Sequence, residues 1–405
     1  MISIQEALAK IAEIVQPLGS EKFPFQQSAG RTLAAPVIAD VDSPPHTKSI
    51  MDGFAVRAED IAPGARLKQL ETIIAGNVPS KKVVAGTCSR IMTGAPLPQG
   101  ADSVVMIEQT SSSESNGETE IRFELDSLTA GKHVMQKAAS FGKGETIFQA
   151  GHQIRPLDIG LLAEVGAHQV SVVLPIQTAV LPTGNELVMA NKAPGPGQIR
   201  NSNGPMLVSK LRAANANVID LGIGRDDRED LAAKIEMGLD ADLLVLSGGV
   251  SAGTMDLVPE LLQQAGVEQV FHKVRVKPGK PIWFGFRDDG ENRTYVFGLP
   301  GNPVSSLVGC ELFVRAAMNR MNGRDDIQRE FVVAELTAKH ETRGDRPTYW
   351  PGHWENDDST CRKIRPSTWL GSSDLRALGS ANALIYFPSE KNVYQSGEPV
   401  NVIHL

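Results

Sequence analysis

The chain has 405 residues and a net charge of −7, with 41% hydrophobic and 21% charged residues, which is typical of a globular protein with a substantial core. This length allows about two to four domains, and the acidic balance argues against general nucleic-acid binding, which usually needs a basic face. Three widely separated cysteines argue against a disulfide framework, and no apolar run approaches the length of a membrane span. We therefore expect a cytoplasmic protein without a nucleic-acid or membrane partner.

The first predicted element is a helix at the N-terminus. Ser3 and Glu6 have the spacing of a capping box. The apolar residues around them would lie on one helical face: Ile4, Ala7, Leu8 and Ile11. The stretch lacks the basic region and the continuous apolar block of a signal peptide, so we interpret it as part of the fold.

After this helix the chain changes character, because short β-like runs alternate with Gly, Pro and Ser clusters. The polar stretch 111–120 is predicted to be an exposed, mobile loop tip, and 157–166 a short helix. We predict a small β-rich inserted domain over residues 46–139. Residues 1–45 and 140–175 would form one elongated N-terminal domain that carries the insertion.

From residue 176 to residue 324 the pattern alternates between strand and helix. This alternation predicts a three-layer α/β/α domain, in which helices cover both faces of a mostly parallel sheet. Ligands of such sheets bind in the loops beyond the carboxyl ends of the strands. The last stretch, 325–405, has β-like runs and turn residues without a long helix, so we predict a small all-β domain there.

Four loops follow strands of the predicted α/β domain: 181–188, 222–230, 247–256 and 298–306. They carry carboxylates at Glu186, Asp226 and Asp256, which the fold would bring together. Mg²⁺ is usually bound by one or two carboxylates, and phosphate oxygens of the substrate fill other positions around it. The alternative for Asp226 and Asp227 is that they merely open a helix, where negative charge is favourable.

Two of these loops have features of an anion site. Gly248 and Gly249 permit a close approach of the backbone to a ligand, and equally an ordinary tight turn. Asn302 is a good N-cap with Pro303 at the first helical position, so free amides would face an anion together with the hydroxyl of Ser305. The alternative is a well-capped helix without a ligand. The sequences of a P-loop and of a dinucleotide fingerprint are both absent.

Segment 273–281 is the strongest local cluster of positive charge. On a strand, Lys273, Arg275 and Lys277 would share one face. Lys280 follows after a Pro-Gly turn. Like charges on one face repel unless an anion or carboxylates meet them, which favours an anion site. A solvated edge strand protected by its lysines is the alternative.

These motifs together resemble the molybdopterin molybdenumtransferase family, the type shared with the C-terminal domain of gephyrin. Two of them, SIMDGFAV and RIMTGAPLPQGAD, are by physical criteria ordinary turns between hydrophobic runs. The other matching pieces follow in the expected order: LPTGNEL, GIGRDD, SGGVSAGTMD, KVRVKPGKP, GLPGNPVSS and WLGSSDLRALGSANALI. Each piece is weak alone, but the ordered set covers nearly the whole chain and is highly specific.

The resemblance implies the last step of molybdenum-cofactor synthesis, in which adenylylated molybdopterin and molybdate enter and AMP leaves. It implies Mg²⁺ at the phosphates and a C-terminal β-barrel. It also implies an elongated homodimer, with the active cleft between the α/β domain of one subunit and the inserted domain of the other. The α/β domain would resemble that of the molybdopterin adenylyltransferases, and that enzyme and the recipient molybdoenzymes are candidate partners.

The resemblance also assigns roles to residues of this sequence. Carboxylates would hold the metal or the substrate: Glu186, Asp226 and Asp256. Two lysines, Lys273 and Lys277, would face the phosphate or the pterin. Molybdate would be held by a cationic and hydroxyl set: Lys277, Lys280, Pro281, Ser305, Arg346 and Ser372. Further substrate contacts would come from Gly248, Gly249, Ser251 and Asn302, and the facing subunit would supply Asp52 and Thr93.

The sequence departs from the family pattern at several places. His46 stands where a Phe is usual, and Asn185 replaces the commoner Asp, which removes a carboxylate. Within 131–145 the usual Arg-rich run keeps a cation at Lys137, and Ser140 stands at the position of an Asp. These changes are typical of a divergent subgroup or of weakened activity.

Two other functions stay open on the sequence. A related molybdopterin or nucleotide enzyme of the adenylyltransferase type would use the α/β domain, but the motifs outside that domain would then have no purpose. A gephyrin-like, non-catalytic scaffold would hold peptides at its dimer, and nothing such as an extra domain or long linker favours that reading.

Overall fold

The computed structural model describes residues 1–115, 117–250, 257–290, 292–355 and 362–405. Ser251 and Asp256 of the predicted substrate and metal loop therefore lie outside the described residues. A search of the helices within the described ranges finds none that is both long and apolar enough to cross a membrane.

The N-terminal half consists of short strands and two helices. In chain order they are α1 (Ile4–Ile14), β1 (Ser20–Pro24), β2 (Val37–Ile38), β3 (Lys48–Ser49), β4 (Gly53–Val56), β5 (Arg66–Ile73), β6 (Thr87–Ile91), β7 (Ser103–Met106), β8 (Thr110–Ser115), β9 (Glu118–Phe123), β10 (Val134–Met135), β11 (Thr146–Phe148), α2 (Asp158–Glu164) and β12 (Gln169–Val173). The predicted capping box of α1 is present: Ser3 Oγ accepts from the Glu6 amide at 3.1 Å, and Glu6 Oε2 accepts from the Ser3 amide at 2.7 Å. The predicted apolar face of α1 is buried.

A six-stranded sheet, in the order β7-β4-β6-β5-β9-β8, forms the β-rich part of this half. The prediction of a mobile loop tip at 111–120 was wrong, because β8 and β9 pair antiparallel from Thr110–Phe123 to Ser115–Glu118. Polar side chains are compatible with a strand at the solvated edge of a sheet, where the backbone ladder decides the structure. Charge pairs such as Arg66 Nη1–Glu120 Oε2 at 3.1 Å join β9 to its other neighbour, β5.

Two antiparallel pairs, β1 with β12 and β2 with β11, bring the residues before and after this sheet together. Their shared core contains Leu33, Phe141, Leu162 and Val172, all at most 5% exposed. The chain therefore leaves and re-enters one small core around the six-stranded sheet. The exact domain boundaries given above stay a prediction.

The central part alternates strands and helices: β13 (Gln177–Pro182), β14 (Leu187–Val188), β15 (Ile199–Arg200), α3 (Asn203–Ala213), β16 (Asn217–Asp220), α4 (Arg228–Leu239), β17 (Leu243–Ser247), α5 (Val258–Gln264), β18 (Glu268–His272), β19 (Trp283–Asp288), β20 (Arg293–Leu299), α6 (Pro303–Gly309) and α7 (Arg315–Met321). The main sheet has the order β16-β13-β17-β20-β19-β18. Its first four strands are parallel, and β19 and β18 are antiparallel additions. The predicted mostly parallel sheet is confirmed, with an antiparallel edge.

Helices cover both faces of this sheet, because alternate strand residues enter different cores. Val180 and Val245 pack in a cluster that contains α1, α3 and the helical segment after β20. Leu181 and Leu246 pack on the other face against α4 and α5. Fully burying a side chain of this size stabilises the fold by about 1.5–3 kcal/mol. The carboxyl ends of the parallel strands are left uncovered by either core.

The cationic segment after β18 is not a strand, so that prediction was wrong. Lys273 has a φ of 75°, which turns the chain out of the sheet directly after His272. Val274 then forms an isolated bridge with Ile2, and Lys277 forms one with Thr348. The predicted alternation survives without the strand, since Val274 is 0% exposed and its neighbours are not buried.

The helix that begins at Pro303 continues to Met321 but changes its winding in the middle. A π-helical segment, Cys310–Val314, lies between α6 and α7. Glu311 in this segment is 1% exposed. Its Oε1 lies 2.5 Å from Lys210 Nζ on α3, and its Oε2 lies 3.6 Å from Arg329 Nη2 in the segment that leads to the C-terminal part. This buried carboxylate ties three parts of the chain together.

The C-terminal part contains β21 (Val332–Leu336), β22 (His340–Glu341), β23 (Thr348–Glu355), β24 (Lys363–Pro366), α8 (Arg376–Gly379), β25 (Ala383–Phe387), β26 (Val393–Tyr394) and β27 (Pro399–His404). Strands β21, β24, β23, β25 and β27 close into a barrel. The expected C-terminal β-barrel is therefore confirmed.

Candidate active site

A cleft of about 760 Å³ opens at the carboxyl ends of β13, β17 and β20. All four loops predicted from the sequence contribute described residues to its walls: Glu186, Asp226, Gly248 and Asn302. A cleft of this size at this edge of a parallel sheet fits the usual ligand position of α/β domains.

The two aspartates after β16 have different roles. Asp227 is the N-cap of α4, and its side chain accepts from the amides of Glu229 and Asp230 at 3.1 and 3.0 Å. Asp226 does not cap the helix; its Oδ2 accepts from the Asn185 amide at 3.1 Å. The helix-opening alternative therefore holds for Asp227, whereas Asp226 faces the cleft.

Asn185 and Asp226 are joined by a reciprocal pair of hydrogen bonds. The Asp226 amide donates to Asn185 Oδ1 at 3.1 Å, in addition to the contact described above. An aspartate at position 185 has the same acceptor oxygen, so the family's commoner residue would keep this bond and add a charge. The substitution thus preserves the loop and removes a carboxylate from beside Asp226.

Glu186 lies against Gly184 on the wall of the cleft. Gly184 has a φ of 147°, and a Cβ atom there would lie 2.4 Å from Glu186 Oε2. A residue with a side chain at this position would therefore be strained and would push the flexible end of Glu186 aside.

Gly248 and Gly249 line the cleft, and the close approach of Thr183 from a neighbouring loop leaves no room for a side chain at either position. Both have positive φ, 99° and 64°. A Cβ on Gly248 would lie 2.4 Å from the Thr183 carbonyl oxygen, and one on Gly249 would lie 2.9 Å from Thr183 Oγ1. The close approach of two strand-end loops, in addition to any clearance for a ligand, explains these glycines.

A polar side chain that was not predicted from the sequence, Asn203, lies on the floor of the cleft. Asn203 is 8% exposed and donates from Nδ2 to Ser247 Oγ at 2.9 Å and to the Gly301 carbonyl at 2.7 Å. It thereby holds the ends of β17 and β20 in register with the start of α3. Asn203 Oδ1 and Thr183 Oγ1 are buried without a partner in the described part of the chain. The Asn-Ser-Asn sequence before α3, an N-cap pattern, was the available signal.

A second cavity of about 680 Å³ adjoins the first, because Pro281, Pro300 and Asn302 line both. Its cationic and hydroxyl residues match the predicted anion site: Lys277, Lys280, Ser305, Arg346 and Ser372. It also contains residues that the sequence analysis did not single out: Arg343, Trp350, Trp369, Leu370 and Gly371. Lys273 lies outside the residues that line either cavity, so its predicted contact with substrate has no support in its position.

Lys277 joins the α/β part to the barrel at this second cavity. Its Nζ donates to the Arg343 carbonyl at 2.7 Å, and its own backbone accepts from the Tyr349 amide at 2.7 Å. Partial burial, and then the charge of Arg346, lower the pKa of Lys277. Arg346 is fixed by a hydrogen bond from Nη1 to the Val276 carbonyl at 3.0 Å. Two like charges are thus held close together, which favours binding of an anion.

The N-terminus of α6 differs from the prediction in one respect. Asn302 occupies the N-cap position, but its side chain makes no capping bond. Instead Asn302 Nδ2 donates to Ser372 Oγ at 2.9 Å, and the Val304 amide donates to the Ser372 carbonyl at 3.0 Å. The Val304 amide, which was expected to face an anion, is therefore already bonded to Ser372 of the C-terminal part. Ser305, at 3% exposure, remains on the cavity wall.

Asp52 and Thr93 are brought together in the six-stranded sheet. Asp52 Oδ1 accepts from the Thr93 amide at 2.6 Å and from Thr93 Oγ1 at 2.7 Å. These two hydrogen bonds, the amide first, lower the pKa of Asp52. No described residue between 46 and 139 lines either cavity, so within one chain this pair stands apart from them.

The divergent stretch 131–145 is tied to its own chain. Lys137 Nζ lies 3.1 Å from Asp42 Oδ2, and the Lys137 amide donates to Thr47 Oγ1 at 3.2 Å. The Ser140 amide donates to the Ser43 carbonyl at 2.9 Å. Lys137, the cation kept from the family's Arg-rich run, is therefore already paired with a carboxylate.

The described residues of the first cavity supply two of the ligands that a divalent metal needs, Glu186 and Asp226. Among the described residues there is no group of three or more His, Cys, Asp or Glu side chains that could hold a metal. Glu186 and Asp226 are two carboxylates on one cleft, and neither forms an ion pair with a described cation. Two carboxylates, with the remaining positions filled by phosphate and water, suit Mg²⁺.

Three family models match successive parts of the chain. The MoeA N-terminal region (domain I and II) matches residues 2–166, and the "probable molybdopterin binding domain" matches residues 179–320. The MoeA C-terminal region (domain IV) matches residues 333–405. The order of the three matches is the order of the elements described above.

Similar proteins and structures cover the whole chain. A molybdopterin molybdenumtransferase of Staphylococcus aureus is 31% identical over 413 residues, which span 99% of this chain and 95% of that protein. Molybdopterin molybdenumtransferase 2 of Mycobacterium tuberculosis is 33% identical over 416 residues, 99% of each chain. The crystal structure of a molybdopterin biosynthesis MoeA protein from Pyrococcus horikoshii, 30% identical, aligns with a TM-score of 0.80 over 100% of this chain and 99% of that one.

Proposed function

The chain belongs to the molybdopterin molybdenumtransferase family and acts in molybdenum cofactor biosynthesis, and we propose that it inserts molybdenum from molybdate into adenylylated molybdopterin with release of AMP. The observation that carries this proposal is the pair of adjoining cavities. One is lined by carboxylates and glycine loops, and the other by cations and hydroxyls. Molybdate and a phosphate-bearing pterin need different surroundings side by side, and this arrangement offers both.

The first cavity suits the pterin and its diphosphate. Glu186 and Asp226 would hold Mg²⁺, which would neutralise charge on the phosphates and on the departing AMP. The loop contacts around Gly184 and Gly248 fix the wall of the cleft before substrate arrives. Because these groups are already in place, little free energy is spent on rearranging them when charge develops on the reacting phosphate.

The second cavity suits molybdate, a tetrahedral dianion. Lys277, Lys280 and Arg346 supply positive charge from two parts of the chain, and Ser305 and Ser372 supply hydroxyls. Charge-assisted hydrogen bonds of this kind are roughly twice as strong as neutral ones. The shared wall at Asn302 would place the oxyanion next to the pterin end of the first cavity.

We further propose that Asp52 and Thr93 act on the cleft of the second subunit of a homodimer. Their distance from the cavities within one chain, together with the tight Asp52–Thr93 pairing, supports this assignment. Asp52 is held in place by Thr93 and lines neither cavity of its own chain, so its carboxylate would be available to a cleft of the second subunit. The reaction is expected in the cytoplasm.

The turnover assay that tests the function uses the purified protein, adenylylated molybdopterin, magnesium chloride and molybdate. We expect AMP release that requires molybdate, because the cationic cavity must be filled before the phosphates are cleaved. AMP or diphosphate turnover that is independent of molybdate would favour an adenylyltransferase type of activity. Absence of any release would favour a scaffold and contradict the proposal.

Molybdate binding should weaken as the pH rises through the lowered pKa of Lys277. The protonated amine attracts the dianion, so affinity is full below that pKa and falls in a range that begins below the ordinary lysine value of about 10.4. In Lys277→Arg the guanidinium stays charged, and the fall should move to higher pH. Calorimetric titration of molybdate between neutral and alkaline pH measures both. Lys280→Arg is the control, and identical profiles for the wild type and Lys277→Arg would contradict the role of Lys277.

A further inference from the structure

A third, smaller cavity lies between the N-terminal part and the α/β sheet, away from the candidate active site. Its volume is about 80 Å³. One wall is formed by 30–32 and 173–175, and the other by the ends of α3 and α7. It shares no residue with the two cavities described above.

The lining of this cavity is cationic. It contains three arginines, Arg31, Arg315 and Arg324, and no described acidic residue. Amide side chains complete it, among them Asn215 and Gln153, which both donate to the Gly30 carbonyl. A small cavity lined by several guanidinium groups and by no described carboxylate favours an anion.

Two of the arginines are compensated by carboxylates outside the cavity. Arg31 Nη2 lies 2.7 Å from Glu21 Oε1, and Arg324 pairs with Asp326. The acidic partners are the more exposed members of these pairs, at 41% and 60% side-chain exposure. Exposed carboxylates compete weakly with an anion bound directly between the guanidinium groups.

Arg315 is the unusual member of the set. Its half-buried guanidinium makes no hydrogen bond or ion pair with any residue in the described ranges. The nearby buried carboxylate, Glu311, is already shared by Lys210 and Arg329. Arg315 adds further positive charge there, which lowers the pKa of Arg329 after the larger effect of burial. The junction therefore carries uncompensated positive charge.

The ends of α3 and α7 offer a second explanation for the arginines. The carboxyl end of a helix attracts cations, and both helices end at this cavity. A capping role would satisfy guanidinium donors with the last carbonyls. Arg315, with five N–H donors, makes no such bond to the described chain, so capping leaves it unexplained.

We propose that this cavity binds a small tetrahedral oxyanion of the phosphate class, held by Arg31, Arg315 and Arg324. The fork of the Arg315 guanidinium matches the oxygens of such an anion, and Arg31 and Arg324 add positive charge beside it. The bound anion bridges the N-terminal part to the ends of α3 and α7. Hydrogen bonds already join these parts, from Asn215 after α3 to the Gly30 carbonyl and from Arg324 after α7 to Gln153 Oε1. Binding therefore stabilises the junction and is independent of the proposed transferase reaction.

The test compares phosphate binding by the wild type, Arg315→Gln and Arg122→Gln with isothermal titration calorimetry at constant ionic strength. Arg122 is an exposed arginine on β9, far along the chain from the cavity, and serves as the matched control for loss of one charge. All three are also prepared with Lys277→Ala, which removes a cation from the second active-site cavity. Sulfate and molybdate replace phosphate in parallel titrations and distinguish the source of the oxyanion.

We expect a binding site that survives Lys277→Ala and weakens by roughly tenfold or more in Arg315→Gln, because a charge-assisted contact is lost. Arg122→Gln should bind like the wild type, and Arg315→Lys, which keeps the charge but not the fork, should be intermediate. Equal affinity in the wild type and Arg315→Gln, or loss of all binding with Lys277→Ala alone, would overturn the proposal. Molybdate-dependent AMP release by Arg315→Gln should stay near the wild-type rate, which separates this site from the transferase function.

Discussion

Asp226→Asn is expected to lower the rate of molybdate-dependent AMP release by roughly a hundredfold to a thousandfold, the range seen when one charge-stabilising group is lost. The reason is that Asp226 lies on the cleft with no described cation paired to it. The Asn side chain keeps an oxygen that accepts from the Asn185 amide, so the loop should stay in place. Steady-state kinetics should show the loss in kcat, with a smaller change in KM for molybdate.

Asp227→Ala is the matched control, since it removes the neighbouring carboxylate. Asp227 caps α4, so this variant should lose about 1 kcal/mol of stability and keep most of its activity. Thermal unfolding and the AMP assay on both variants measure the contrast. Equal losses of activity in the two variants would contradict the assignment of Asp226 to the substrate.

Mixed dimers test whether Asp52 acts across subunits. Asp52→Asn and Asp226→Asn are each expected to be nearly inactive alone. If each cleft takes Asp52 from one subunit and Asp226 from the other, refolding an equal mixture should restore about a quarter of wild-type turnover, because half of the dimers would have one intact cleft. No recovery in dimers that are shown to have exchanged subunits would place both residues on the same chain's cleft.

Glu311→Ala should lower the free energy of unfolding by about 3 kcal/mol, the lower end of the range for breaking a buried ion pair. The substitution leaves Lys210 and Arg329 without their shared buried carboxylate, but their side chains are 31% and 24% exposed, so water partly compensates them. The urea midpoint of the transition that includes the α/β part measures the loss. Activity per folded molecule should change little, because Glu311 lines neither active-site cavity.

Two variants make this stability prediction specific. Glu236→Ala breaks an exposed pair with Arg287 at 3.0 Å and should cost no more than about 1 kcal/mol. The triple variant Lys210→Met, Glu311→Met and Arg329→Met should recover much of the loss, because apolar side chains in place of all three charged ones need no charge compensation. A Glu311→Ala variant as stable as Glu236→Ala would show that the buried pair contributes nothing.

Local sequence patterns predicted most elements of the α/β part because each pattern has a local physical cause. Ser3 and Glu6 predicted the capping box of α1, and the strand–helix alternation over 176–324 predicted the mostly parallel sheet. The prediction of a strand for the cationic segment after His272 was wrong because it too used only local pattern. Alternation of charged and apolar residues predicts a strand, but the positive φ of Lys273 and its bridge partners come from distant chain.

The polar stretch 111–120 was predicted to be an exposed, mobile loop tip because it is rich in turn-type residues. Its backbone instead pairs along β8 and β9, and a ladder at a solvated edge needs no apolar side chain. Composition describes what a segment can bury, but strand pairing depends on which other backbone is available. That information lies outside the segment.

The sequence by itself determined the fold class, the family and the loops that carry the candidate site, because motif order and strand–helix alternation are properties of the chain alone. Tertiary structure decided which neighbouring carboxylate faces the cleft, since Asp226 and Asp227 differ only in their partners, Asn185 and the start of α4. It also placed Asn203 beneath the loops and brought Lys277 beside Arg346. These relations join residues far apart in the chain, and distance along a sequence carries no record of distance in space.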